Sequence, residues 1–205
     1  MTKKNPEYEQ AVKNLETFKR LLTDKTGPRG LTLIDLTMEL ELALISAPAS
    51  TRREYHGAFA GGLVEHLLTV VSLMATLNKA YETKLSAESI VLVGLFHDIG
   101  KCGNGKQEYY VPKTSDWHNK QGIYYEINPE LELNMPVHMR SLFLLQNAGV
   151  SLTEHEYFAI SSVRDRLRPG EESLPTVNEP MLSVILQQAV KVASLKGSNR
   201  TSLLA

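Results

Sequence analysis

The chain is predicted to be a mainly α-helical single domain with one small β-hairpin. Three observations predict it. Apolar residues recur at three- and four-residue steps along most of the chain. Pro and Gly punctuate it at helix-length intervals. Only one pair of short runs is rich in Tyr and Ile. At 205 residues there is room for one domain and a modest appendage. We divide it into N-terminal helices (1–46), a core (47–197) with the hairpin at about 107–127, and a tail (198–205).

Asn5-Pro6 starts the first helix as cap and first turn. Tyr8, Ala11, Val12, Leu15, Phe18, Leu21 and Leu22 form its apolar face, and Thr26 to Gly30 break it. The second helix is expected from Leu31 to Ser46, stopped by Ala47-Pro48. A loop with Arg52, Arg53, Tyr55 and His56 leads to a third helix over 63–81. The fourth, 87–97, is apolar nearly all round and therefore buried. Gln107 to Pro112 and Gly122 to Ile127 read as an antiparallel pair joined by a longish loop. Pro136 opens a fifth helix and Gly149 closes it. Ser151 to Glu154 is a capping-box signature for a sixth, which Arg168-Pro169-Gly170 ends. Pro180 starts a seventh with Met181, Val184, Ile185, Ala189, Val192 and Leu195 inward and Gly197 at its end.

The composition is 42% hydrophobic and 22% charged, which is globular rather than disordered. Lys plus Arg is 22 against 23 Asp plus Glu, so a basic nucleic-acid coat and an acidic tail are both disfavoured. Nucleic acid stays open as a partner through a local basic site. The single Cys102 excludes an intrachain disulfide and a cysteine-only zinc cage. No run reaches the roughly 18 apolar residues of a membrane span, and MTKKNPEYEQ lacks a signal-peptide core. A cytoplasmic chain is expected.

Two features carry chemistry. In His97-Asp98-Ile99-Gly100-Lys101, an apolar helix ends in adjacent His and Asp. Burying both without partners is costly, and a divalent metal would satisfy both. Read alone, the same residues also fit a helix C-cap. The second feature is Gly61-Gly62-Leu63-Val64-Glu65-His66. The interval from His66 to His97 fits a helix, a connection and a helix, so the two can face each other across an antiparallel pair.

These two motifs resemble the HD-domain superfamily of metal-dependent phosphohydrolases, over roughly residues 47–195. Pro48-Ala49-Ser50-Thr51 with Tyr55-His56-Gly57 is similar to the approach segment of a branch that includes small phage and bacterial proteins. The resemblance implies an HD-like helical bundle around a divalent metal (Mn, Fe, Zn, Mg or Co). It implies hydrolysis of a nucleotide or related phosphoester by a metal-activated water. His66, His97 and Asp98 match the metal ligands. Asp98, Lys101 and His138 match the catalytic positions: Lys101 near the phosphate or behind the metal ligands, and His138 on a second metal or the phosphate. His56 would orient a leaving group or ligand.

The sequence departs from the family pattern at its far end. Val190 stands where the closing Asp of the last helix is expected. Val163 and Arg164 stand where a further His is expected, with Asp165 late in register. A second reading follows: a catalytically weakened HD-fold protein that binds a nucleotide, nucleic acid or protein partner. A third is an oligomer assembled through the first helix and the hairpin aromatics. Arg52, Arg53 and Arg164 are candidate phosphate contacts or solvated charges. Trp117 and His118 are candidate substrate contacts at the hairpin loop, while Tyr109, Tyr110, Tyr124 and Tyr125 stack a base or pack across the strands.

Overall fold

The computed structural model describes residues 6–163 and 178–197. Within them, nine α-helices and one two-stranded sheet form the predicted mainly α architecture. The expected tail and the Arg168-Pro169-Gly170 helix stop lie outside the described residues.

Helix α1 (Pro6–Lys25) buries Ala11, Leu15, Phe18 and Leu22, a face repeating at four-three-four spacing. Phe18 meets Phe96 edge to face, with centroids 5.6 Å apart. Tyr8 and Val12, expected on that face, are 54% and 37% exposed. The part of that face from Ala11 to Leu22 is thus spent inside the protein, while Tyr8 and Val12 stay at the surface.

The expected single helix over 31–46 is two: α2 (Gly30–Glu39) and α3 (Glu41–Ser46), parted at Leu40 (φ −99°, ψ 8°). Just before the break, the Thr37 hydroxyl donates to the Leu33 carbonyl at 2.7 Å, a back-bond that bends helices. Leu36, Leu40 and Leu44 stay buried through the bend.

Helices α4 (Gly62–Ala80) and α5 (Ala87–Phe96) form the central pair. Every residue of α5 from Ile90 to Phe96 is buried, as its all-round apolarity predicts. Gly94 sets their approach: a Cβ there would lie 2.7 Å from Val71 Cγ2. A 3₁₀ turn, Ile99–Cys102, follows α5.

The hairpin consists of β1 (Tyr110–Pro112) and β2 (Tyr125–Ile127), antiparallel, with Val111 opposite Glu126. The expected loop between them holds a short helix, α6 (Asp116–Lys120), capped by Ser115. One turn of helix is too short to show a periodicity. Trp117 on α6 is 62% exposed.

Helix α7 (Val137–Asn147) packs on the 3₁₀ turn. The Ser141 hydroxyl donates to the His97 carbonyl at 2.9 Å and accepts from Gly100 N at 2.9 Å. A Cβ on Gly100 would drive into the Val137 carbonyl. Gly100→Ala should therefore cost about 1–3 kcal/mol of stability through overpacking, read as a lowered urea midpoint.

Helix α8 (Glu154–Ser162) has its capping box at Thr153 and Glu156, two residues later than expected. The register follows Glu156, whose carboxylate is drawn inward by Arg29. Helix α9 (Met181–Lys196) packs against α4 and α8 through Leu182, Ile185, Leu186, Ala189 and Ala193. Met181, Val192 and Leu195, expected inward, are 48%, 37% and 48% exposed. The small Ala189 and Ala193 take the contact face, so the buried stripe is rotated from the one that hydrophobicity alone selects.

Candidate metal centre

The site forms where three elements meet: the first turn of α4, the end of α5, and the loop before α4. The apolar run of α5 stops at Phe96, and His97 is the C-cap, still in helical conformation. Asp98 (φ −113°, ψ 9°) turns the chain out of the helix. That change of backbone lets two adjacent side chains converge, which a straight helix would hold about 100° apart. His66, His97 and Asp98 are all buried.

His97 Nδ1 lies 3.0 Å from the Gly94 carbonyl. A carbonyl only accepts, so Nδ1 carries the proton and Nε2 presents a lone pair. His97 Nε2 is 3.8 Å, and His66 Nε2 4.0 Å, from Asp98 Oδ2. One ligand atom from each of the three lies within 4.8 Å of the others. Metal–donor bonds of about 2.1 Å put donors up to ~4.2 Å apart, so a small contraction would seat an ion. His66 Nε2 is buried and makes no hydrogen bond among the described residues. Left so, it costs about 1–3 kcal/mol. An ion there removes the penalty, and the donors present fit one.

The Lys101 ammonium is also buried, 2.6 Å from Asp98 Oδ2 and 2.9 Å from the Ala49 carbonyl. Burial by itself would raise the Asp98 carboxyl. Lys101 and His97 outweigh it and hold the group below the usual carboxylate range, so Asp98 is ionised. Burial, and then the charge of Lys101, push His56 down from 6.5 to about 4. The same burial, with His56 beside it, keeps His66 well below its ordinary value. His56 and His66 are therefore neutral near pH 7, the form in which nitrogen binds metal. Burial pushes the Cys102 thiol up, away from thiolate chemistry.

With this geometry in view, one comparison supports the family likeness. Residues 63–134 match the HD domain. A search of curated proteins and one of solved structures found no match. The HD segment covers less than half of the chain and contains His66, His97, Asp98 and Lys101. His56, Val163 and Val190 lie outside it.

The structure thus gathers His66, His97, Asp98 and Lys101 at one point, with the His56 ring 4.5 Å from that of His66. His138 sits half-buried in the first turn of α7, outside the group of three. Arg52 and Arg53 are exposed and serve the hairpin through their backbone: Arg52 bridges Ile123, and Arg53 N donates to the Gly122 carbonyl at 2.8 Å. Trp117 and His118 stack edge to face on α6, centroids 4.9 Å apart. Arg164 lies outside the described residues. Three parts of the site were missed in the sequence: the Gly94 and Ala49 carbonyls and the Ser141 hydroxyl. Backbone acceptors leave no sequence mark, and a lone helical Ser has none to distinguish it.

Proposed function

We propose that this protein is an HD-type metal-dependent phosphohydrolase acting on a nucleotide or related phosphoester. The observation that carries the reading is the buried His66 Nε2, aimed with His97 Nε2 at one ionised carboxylate. His66, His97 and Asp98 would hold the ion. Two nitrogens and one oxygen suit Zn, Fe, Mn or Co better than Mg. When bound, such an ion supplies Lewis acidity toward phosphoryl oxygen and acidifies water. The chain's own part is to exclude solvent, keep the His66 imidazole neutral, and keep Asp98 ionised through Lys101. Arg52 and Arg53 are the proposed phosphate contacts, with Trp117 and His118 on the substrate's far group. No helix among the described residues is long and apolar enough to cross a membrane.

The electrostatics favour weak holding. Asp98 and Lys101 cancel, so an ion enters a site without net negative charge. On the HD pattern the missing carboxylate belongs at Val190, which packs against the core instead, as does buried Val163. Those two residues support the second reading, an HD fold kept for binding. Elemental analysis of chelator-free protein, beside an Asp98→Asn variant, separates the readings. About one ion per chain, lost in the variant, supports the hydrolase and sets the metal for a phosphoester screen. No ion, even after adding Mn or Fe, selects the binding protein. Val190→Asp should raise metal affinity about tenfold or more, measured by chelator competition, since it restores a charged donor. No change would show that position 190 does not face the site.

A further inference from the structure

His56 is the one histidine near the centre that the group of three does not use. Its ring is tilted 40° from that of His66, and His66 is in turn 5.8 Å from His97. The three imidazoles form a row with His66 in the middle. His56 Nε2 is buried, and, like His66 Nε2, makes no hydrogen bond among the described residues. A cation between two neighbouring buried nitrogens would satisfy both at once.

The loop that carries His56 is built to hold it there. The Ser50 hydroxyl donates to the His56 carbonyl at 2.6 Å, and Ala49 N donates to the Gly57 carbonyl at 2.8 Å. Gly57, at φ +58°, is pressed on the start of α4: a Cβ would lie 2.8 Å from Ala49 Cβ and 3.0 Å from the Gly62 carbonyl oxygen. Lys101 ties the same loop to Asp98 through the Ala49 carbonyl. On the other side stands the end of α9, where a Cβ on Gly197 would come 2.9 Å from His56 Cβ. Val190 is two turns back along the same stripe of α9 and offers no donor. On that side the loop brings the His56 imidazole beside His66, whereas Val190 brings no donor.

We propose that His56 is a fourth protein donor to the metal, standing in from the loop for the carboxylate that α9 lacks. The proposal rests on the metal-centre reading above. The triad closes within 4.8 Å without His56, so His56 is the outermost donor and the triad keeps partial affinity in its absence.

The test uses the full chain loaded with Co(II), read by visible absorption and by chelator competition. His56→Ala and His56→Gln should each weaken Co(II) binding about tenfold or more and change the d–d bands, with apo melting curves confirming the fold. Val190→Asp in the His56→Ala background should restore affinity. Proton NMR of the unaltered Co(II) protein should show three sets of hyperfine-shifted imidazole signals rather than two, which needs no variant. Unchanged affinity and bands in both His56 variants, or two imidazole sets, would overturn the assignment and leave the triad standing. An unaltered chain that takes up no Co(II) would overturn the metal reading and His56 with it.

Discussion

Replacing Arg29 with Met should destabilise the protein by about 3–5 kcal/mol, the scale for removing one partner of a buried ion pair. The Glu156 side chain has no solvent exposure. Arg29 holds it with both ends of the guanidinium, Nη1 at 2.8 Å and Nη2 at 3.0 Å. The Arg29 Nε donates to Glu88 at 2.7 Å, and Nη1 also to the Ser151 carbonyl at 2.9 Å. Ser89 Oγ and Thr153 N complete the shell around the carboxylate at 2.8 and 2.9 Å. One guanidinium thus joins the turn before α2 to the starts of α5 and α8. Without it the carboxylate keeps two neutral donors and no counter-charge. Arg29→Lys should recover less than half, because an ammonium cannot make the two-pronged contact. Arg29→Met with Glu156→Leu should be far milder than Arg29→Met alone, since no charge is then stranded. Urea unfolding of the parent, Arg29→Met, Glu156→Leu and the double variant gives the coupling directly.

The same pair gives stability a direction in pH. Burial would raise the Glu156 carboxyl, but the Arg29, Thr153 and Ser89 hydrogen bonds prevail and lower it below its ordinary value of 4.5. In acid the unfolded chain therefore binds its proton before the folded one does. The contribution is complete above the unfolded value and is lost as pH falls from there through the folded value. Unfolding free energy should fall from about pH 5 downward, with a smaller slope in Glu156→Gln. Equal slopes in the two proteins would remove Glu156 as the source.

How far the sequence told this in advance depends on the range of each interaction. The α5 run from Ile90 to Phe96 and the Pro6 and Pro180 starts were legible because periodicity and caps are local. The bend at Leu40 and the rotation of α9 were not. They follow from which face a neighbour offers, and Met181, Val192 and Leu195 are as apolar as the residues that won. The Thr153 box shows the same limit: Ser151 and Thr153 are both good caps, and a guanidinium far along the chain chose between them. At the site, His66, His97 and Asp98 could be singled out by spacing and by likeness to the HD pattern. Their burial with Lys101 could not, since a lysine in a Gly-rich turn is usually solvated.

Lys101 decides how the central experiment on Asp98 must be made. Asp98→Ala removes a proposed metal donor and also strips a buried ammonium of the carboxylate 2.6 Å from it. It should cost about 3–5 kcal/mol, enough to unfold a marginal domain and mimic a loss of function. Asp98→Ala with Lys101→Met removes both charges of the pair. Its stability should return to within about 1–2 kcal/mol of the parent, while metal stays unbound. Asp98→Asn keeps an oxygen for Lys101 but loses the charge, so it should fold and bind metal at least a hundredfold more weakly. Lys101→Met alone leaves Asp98 as the single charge, unneutralised in the apo protein. Added metal should then raise its melting temperature by more than it raises that of the parent. A larger thermal shift in Lys101→Met, with none in the double variant, would show that ammonium and metal share one carboxylate. Equal shifts in Lys101→Met and the parent would show that the ion binds without it, and His66 and His97 would need another oxygen donor.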